Sequence, residues 1–224
     1  CSQADPPSAG GLLSFVSRRH HMAHTDDEYA DFVAHPRYGQ HPHFTGLNPQ
    51  ENYLPESEHY AFLHWHSPVG SRIANTAIVA NVSRQTSATV PVTHYFDTKR
   101  QCRDCTRPFI FFAKEQQFWY EELGFGLDGD CIRCFTCRKK HRGLENARVR
   151  YEELFHVAGR TVGENLEFVK CWLELVEGAI FHRSKVAQMR ALLGRLLLQA
   201  TGNDKRELLK LSGRLEVIAT ENGG

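Results

Sequence analysis

Two pairs of cysteines with the same internal spacing constrain this chain most. Cys102 and Cys105 form one C-x-x-C pair, Cys134 and Cys137 form another, and 28 residues separate the two pairs. A tight turn over each pair would direct two sulfurs to one point, and two such knuckles complete the tetrahedron that zinc accepts. Because four thiolates leave no open coordination position, the pattern predicts one structural Zn2+ ion. Its binding could order a module that has little core of its own.

A fifth cysteine in the same stretch leaves another assignment open. In the sequence CIRCFTC, Cys131 and Cys134 also have the C-x-x-C spacing, so Cys131 could serve as a fallback ligand. Two further alternatives are buried free thiols and a redox pair, although the βαβ context of a thioredoxin-like protein is absent. Five of the seven cysteines lie in this stretch, which favours metal ligation in a reducing compartment, hence a cytoplasmic protein.

Charge is unevenly distributed along the chain. The formal net charge is only +1, which argues against a polyanion-binding surface spread over its whole length. Residues 1–98 hold five basic and nine acidic residues, residues 99–150 hold twelve and seven, and residues 151–224 hold ten of each. The positive excess therefore lies in the segment that contains the cysteine pairs.

Three regions differ in sequence pattern. Residues 1–58 are rich in Pro, Gly, Ser and His, which predicts an irregular or disordered N-terminal region with one short helix from Asp26 to Ala34. Residues 59–143 contain β-branched and aromatic stretches, and we expect the zinc-binding domain with its preceding strands there. Residues 144–224 have apolar residues at helical spacing, which predicts a helical hairpin or bundle. The fold class expected is α+β, and no apolar run is long enough for a membrane span.

Local patterns around the cysteines predict individual elements. The stretches ATVPVTHYFD and PFIFFA predict strands, the first confined to an edge by Pro91. KEQQFWYEEL predicts a helix that Gly124 ends in a left-handed conformation, with Trp119 and Leu123 on one face.

The C-terminal helices carry weaker boundary signals. We expect the first of four helical segments to begin at Leu144, Ser184 to cap the third, and Asn203 or Asp204 to cap the fourth. At the other end, Cys1 is compatible with a lipidated N-terminus, but the segment opened by Met22 is the more typical start of a chain.

The segment around the cysteines resembles a known family. YFDTKRQCRDCTRPFIFFAKEQQFWYEELGF followed by RCFTCRKKHR is similar to the probable zinc-ribbon domain of uncharacterised bacterial proteins, over about residues 95–142. In that family a C-x-D-C knuckle and an aromatic strand precede an E-Q-x-F/W-Y helix, and R-C-x-x-C-R closes the site. The resemblance assigns the closing pair to Cys134 and Cys137 and implies zinc binding but no reaction. Thr106 departs from the pattern, since zinc knuckles often carry Gly there.

Basic residues surround the cysteine pairs and suggest a nucleic-acid-binding surface. Phe111, Phe112 or Trp119 could stack on bases beside them. The alternative is that these cations offset the −2 charge of a Zn(Cys)4 centre, and the small size of the excess favours this alternative. The candidate residues are Arg103, Arg107, Arg133, Arg138, Lys139, Lys140 and Arg142.

Histidines provide the remaining candidate chemistry. His41 and His43, like His64 and His66, would place two imidazoles on one side of an extended chain, an arrangement that could bind a second metal ion. The sequence contains no G-x-S-x-G motif, Walker loop or dinucleotide-binding fingerprint, so no catalytic residue is assigned.

Three functional hypotheses follow. The first is a zinc-binding protein whose ribbon is structural and whose helices contact a partner protein. The second is a nucleic-acid-binding zinc ribbon that uses the basic segment 99–150. The third is a metal-dependent hydrolase that uses the N-terminal histidines.

Overall fold

A computed structural model of the protein describes residues 28–50, 61–86 and 90–220. The strands are β1 (Ile78–Val79), β2 (His94–Tyr95), β3 (Thr98–Gln101) and β4 (Pro108–Phe111). The α-helices are α1 (Ala113–Gln117), α2 (Phe135–Phe155), α3 (Val162–Glu177), α4 (Val186–Gln199) and α5 (Gly202–Thr220). The predicted α+β class, with small strands around the cysteines and helices after them, is confirmed. Within the described ranges, no helix is long and apolar enough to cross a membrane. The expectations about Cys1 and Met22 lie outside these ranges.

Residues 28–50 follow an irregular path along the strands. A turn at residues 28–31 replaces the predicted helix from Asp26 to Ala34, which is wrong over its described part. The Gln40 side-chain amide donates hydrogen bonds of 2.7, 2.8 and 2.9 Å to three carbonyl oxygens between residues 29 and 32. Those carbonyls are therefore occupied by a distant side chain, which is why the segment forms a turn instead of a helix.

The strands form two small antiparallel sheets. β1 pairs with β2, and β3 pairs with β4 from Thr98 opposite Phe111 to Gln101 opposite Pro108. PFIFFA is a strand as predicted, whereas ATVPVTHYFD contributes only β2 among its described residues. The chain turns at Asp97, whose buried carboxylate accepts hydrogen bonds of 2.7 Å from the backbone N–H groups of His43 and Ala113.

The helix after β4 ends as predicted but is wound differently. Gly124 has φ +67°, the left-handed conformation expected of it. From Phe118 the helix widens to a π-turn, in which the Leu123 N–H donates to the Phe118 carbonyl at 3.0 Å. This extra residue turns Leu123 outward, where 47% of it is exposed, while Trp119 packs inward. The prediction that both share one face is therefore wrong.

Helix α2 links the cysteine-rich part to the C-terminal helices. It begins at Phe135, nine residues before the predicted Leu144, and runs without a break to Phe155. The division into regions 1–58, 59–143 and 144–224 stays a prediction, and α2 is continuous across the last of these boundaries.

The C-terminal helices form a bundle with its own core. Helix α3 contacts α2, α4 and α5, and its Cys171 and Trp172 are buried as expected of core residues. Thr161 and Glu164 cap α3 reciprocally. This cap was not predicted, and the two predicted caps are wrong: Ser184 lies in a short 3-10 turn before α4, and α5 begins at Gly202, ahead of Asn203 and Asp204.

Candidate metal centre

The first cysteine pair lies in the tight loop between β3 and β4. The Cys102 N–H donates to Arg107 O at 3.0 Å, and the Thr106 N–H donates to Cys102 O at 2.9 Å. Thr106 has φ +57°, the left-handed conformation for which glycine is usual. Its hydroxyl donates to Cys105 O at 2.7 Å, and its own carbonyl accepts from Gln101 Nε2 at 3.1 Å. These bonds hold Thr106, which stands where zinc knuckles often have Gly, in the backbone geometry that a knuckle needs.

The second pair is built into the start of a helix rather than into a second loop. Cys134 is the N-cap of α2, and Cys137 lies in the first turn. Residues three apart in a helix lie on the same face, so both sulfurs point toward the first pair. The second knuckle expected from the sequence is therefore a helix terminus.

The structure brings the four predicted ligands together. Their sulfur atoms all lie within 4.8 Å of one another, and the sulfurs of Cys105 and Cys134 are 3.9 Å apart. A tetrahedral zinc ion with Zn–S bonds of about 2.3 Å separates its sulfurs by about 3.8 Å. Cys102 and Cys134 are buried, and Cys105 and Cys137 are half-buried. Both the donor set and the spacing thus fit a structural metal ion.

The protonation of the thiols also favours a cation at this position. Burial raises the pKa of Cys102, but the backbone N–H groups of Cys105, Cys134 and Asp104 outweigh it and lower this pKa to about 6. Burial and the neighbouring thiols raise the pKa of Cys137, and burial raises that of Cys134. Four adjacent thiolates repel one another, and a divalent cation compensates this repulsion and releases the remaining protons.

Cys131 lies outside the four-sulfur cluster. It is buried, and its thiol donates to Arg133 O at 3.4 Å. Burial raises the pKa of this thiol to about 12. Cys131 therefore packs as a neutral side chain beside the site, and the alternative pair with Cys134 is not assembled.

An ion pair joins the two halves of the site. Arg133, which precedes the second pair, donates from Nε to both carboxylate oxygens of Asp104 at 3.0 Å. His141 Nε2 lies 2.8 Å from the same carboxylate. Desolvation raises the pKa of Asp104, but these two donors together outweigh it and lower that pKa. The aspartate of the C-x-D-C motif is thus a tether between the first loop and α2.

A second, buried contact attaches α1 to α2. The Glu115 carboxylate lies 2.6 Å from Arg138 Nη2 and 3.4 Å from His35 Nε2. The guanidinium of Arg138 also lies over the Trp119 ring, 4.8 Å from its centroid. Glu115 is the first residue of the E-Q-x-F/W-Y motif and Arg138 the last of R-C-x-x-C-R, so both motif residues serve the fold.

The other residues of the helix motif are also structural. Gln116 donates from its amide to Phe96 O at 2.6 Å and to Phe111 O at 2.9 Å. The Tyr120 hydroxyl donates to Gly129 O at 2.6 Å.

The structure divides the seven basic candidates. Arg133 and Arg138 form the ion pairs above, and Arg107 donates to the Asp31 carbonyl at 3.3 Å. Of the aromatic residues expected to stack on bases, Phe111 and Phe112 are buried, and Trp119 is half-buried with Arg138 over its ring. Four exposed cations remain, namely Arg103, Lys139, Lys140 and Arg142.

The histidines do not form a second metal site in the described part of the chain. There, the only group of three or more candidate ligands is the four-cysteine cluster. His43 Nε2 donates to Tyr38 O at 2.8 Å, and His66 Nε2 donates to Asp128 O at 3.2 Å. His41 is exposed against the edge of Tyr29. The geometry required by the hydrolase hypothesis is not found among these residues.

Sequence reasoning missed two buried polar groups near the site. Burial raises the pKa of Asp97, against the hydrogen bonds from His43 and Ala113. Burial lowers the pKa of His64 to about 4, and the neutral ring stacks between Trp65 and Tyr120. The H-W-H run was the available signal for the second group, but its spacing suggested either a metal pair or surface histidines, and not a buried imidazole.

Comparison with known proteins agrees with this geometry. Residues 96–146 match the family model described as a probable treble clef domain. The matched segment includes β3, β4, the π-turn and the first half of α2, and therefore all four cysteines of the cluster. No curated protein and no solved structure gives a significant match to the chain.

Proposed function

We propose that the protein is a cytoplasmic zinc-binding interaction protein, in which the metal centre stabilises the fold and the C-terminal helices contact a partner protein. The supporting observation is the continuity of α2. Its first turn carries two of the four cysteines, and its last turns are buried in the bundle at Tyr151 and Leu154. With 21 residues the helix is about 31 Å long, so an ion at its base would orient the bundle relative to the treble clef.

The ligand set supports zinc in a structural role. Four sulfur donors in tetrahedral proximity suit zinc or an iron–sulfur centre, and zinc adds no redox chemistry. Four protein ligands leave no position for water or substrate. The side chains around the cluster also hold structural contacts, as Asp104, Glu115, Gln116 and Tyr120 all do.

Exposed apolar side chains on the bundle support a protein partner. Leu198, near the end of α4, is 88% exposed, and Leu209, two turns into α5, is also exposed. Leu198 lies next to the short connection between α4 and α5, and these two helices pack against each other. These exposed leucines on two packed helices support our proposal of a surface that another protein covers.

Metal analysis tests the first half of this proposal. Protein purified under reducing conditions should contain one equivalent of zinc, and removal of the zinc should unfold the treble clef. A content below about half an equivalent, with no uptake of added zinc, would sink the proposal.

A matched pair of variants tests the second half. In an extract of the protein's source, a partner should cross-link to the wild-type chain. The Leu198→Glu variant should no longer cross-link to this partner, whereas the Gln199→Glu variant should still do so. The two positions are adjacent and exposed, so both variants place the same charge in nearly the same place. Identical sets of cross-linked proteins for both variants would contradict a partner at this surface.

A further inference from the structure

The four basic residues left over by the intramolecular contacts lie close together, in the first cysteine loop and in the second turn of α2. Asp104 accepts a hydrogen bond from His141 at 2.8 Å, which places the loop containing Arg103 beside the second turn of α2. His141 lies between Lys140 and Arg142 in that turn, and residues 139–143 are all exposed. In the described part of the chain, the side chains of these four cations form no ion pair, and the nearby carboxylate of Asp104 is already engaged.

An exposed aromatic ring lies on a neighbouring segment of the chain. Trp65 is 54% exposed and stacks on His64, with centroids 4.8 Å apart and planes 14° apart. His64 is buried and stacks in turn on buried Tyr120 at 5.3 Å and 21°. His64 covers one face of Trp65, and the His66 ring lies 5.7 Å from the indole at an angle of 49°, so the exposed area is the part of the indole that these two rings leave open. The underlying rings hold this indole in a fixed orientation, which lowers the entropic cost of stacking another ring on it.

The backbone connects the aromatic ring to the cations. His66, next to Trp65, donates to Asp128 O at 3.2 Å, and the Arg103 N–H donates to Ile132 O at 2.9 Å. The segment 128–132 thus touches both, and four residues span at most about 14 Å when extended. Trp65 and the four cations therefore lie on segments that one short stretch of polymer can reach.

We propose that Trp65, Arg103, Lys139, Lys140 and Arg142 form a binding surface for single-stranded nucleic acid, with a base stacked on Trp65 and phosphates on the four cations. A positively charged track combined with an aromatic platform is the arrangement that binds single strands without reading sequence. An unpaired strand is required, because the face of a base is covered by its neighbours in a duplex. This surface is separate from the apolar residues of α4 and α5, so the inference stands apart from the protein-partner proposal.

Fluorescence anisotropy of the zinc-loaded full chain tests the proposal. The probes are labelled single strands of DNA and RNA of about 12 nucleotides and the corresponding duplex, titrated between about 50 and 200 mM salt. Single strands should bind more tightly than the duplex. Four phosphate contacts predict that log K falls against log salt with a slope of about −3.

Separate substitutions distinguish stacking from charge. Trp65→Ala should weaken binding roughly 5- to 150-fold at every salt concentration and leave the slope unchanged. Phe155→Ala, an aromatic residue of similar exposure in α2, is the matched control and should bind as wild type. Single alanine substitutions of the four cations should each make the salt slope shallower by about 1, the contribution of one phosphate contact. These variants are Arg103→Ala, Lys139→Ala, Lys140→Ala and Arg142→Ala.

A comparison of two variants with the same change in charge tests whether binding is only nonspecific electrostatic attraction. The fourfold exchange to Glu at Arg103, Lys139, Lys140 and Arg142 should abolish binding, whereas the same exchange at Lys170, Arg195, Lys205 and Arg206, all exposed on the bundle, should not. Zinc content measured for every variant confirms that the treble clef is intact, and the single alanine variants decide the outcome if a fourfold variant loses zinc. Three outcomes would overturn the proposal. They are an equal loss of binding in both fourfold variants, tighter binding of the duplex than of single strands, and displacement of the probe by polyglutamate as effectively as by oligonucleotide.

Discussion

Asp104 and Arg133 join the two halves of the metal centre across 29 positions of sequence, with Arg133 Nε 3.0 Å from both carboxylate oxygens. Asp104 lies between the cysteines of the first pair, and Arg133 directly precedes the second pair. Their ion pair therefore acts on the relative position of the two sulfur pairs, beyond any contribution of its own to stability.

Asp104→Asn should weaken zinc binding about 10- to 100-fold, the usual effect of removing a contact that orients metal ligands. The amide cannot accept from Arg133 on both oxygens or match its charge. Competition with a chelator of known zinc affinity measures the change. Asp128→Asn, an exposed carboxylate close in sequence to the site, serves as the control. An unchanged zinc affinity in Asp104→Asn would show that the pair does not position the ligands.

Cys131→Ala should retain one equivalent of zinc, whereas Cys137→Ala should lose it under the same dialysis conditions. The first thiol is buried outside the cluster, and the second is one of the four clustered sulfurs. Zinc analysis after dialysis against a weak chelator makes the comparison. Loss of zinc from Cys131→Ala with retention in Cys137→Ala would identify Cys131 as the ligand instead.

Glu115→Ala should lower the free energy of unfolding of the zinc-bound protein by about 3–5 kcal/mol. The Glu115 side chain is only 7% exposed, and its removal leaves Arg138 partly buried without an anion. Chemical denaturation of zinc-bound protein measures the difference. Glu152→Ala breaks an exposed pair with Arg148 and should cost no more than about 0.5 kcal/mol. Equal effects of the two substitutions would contradict the structural role of Glu115.

His64 should make the protein less stable in mild acid. Its folded pKa of about 4 lies below the unfolded value of about 6.5, so the unfolded state binds more protons between these values. Stability from this group is complete above pH 6.5 and falls as the pH decreases toward 4, by about 2 kcal/mol between pH 7 and pH 5. Denaturation at both pH values for wild type and His64→Gln gives the difference, and zinc loss in acid affects both proteins alike. The same pH dependence in both would rule out His64 as its source.

Much of the site could be predicted from the sequence because ligand chemistry is local. The C-x-x-C spacing alone places two sulfurs together in a knuckle or in the first turn of a helix, and the apolar spacing in α3 places Trp172 in a core. The start of α2 could not be predicted in the same way. Apart from Phe135 and Cys137, residues 135–143 lack apolar side chains and so lack the apolar stripe that marks a helix, and the cysteine cluster anchors this turn together with Arg138 and His141.

The sequence by itself determined the two C-x-x-C pairs, the α+β class and the helices of the bundle, because each depends on residue type and short-range spacing. The tertiary structure decided which side chains remain available. It engaged Arg133 and Arg138 in ion pairs and buried Phe111 and Phe112. It left Trp65 exposed, with its indole stacked on the His64 ring. Such pairings join residues far apart in sequence, and whether a charge or a ring faces solvent depends on what the fold packs against it.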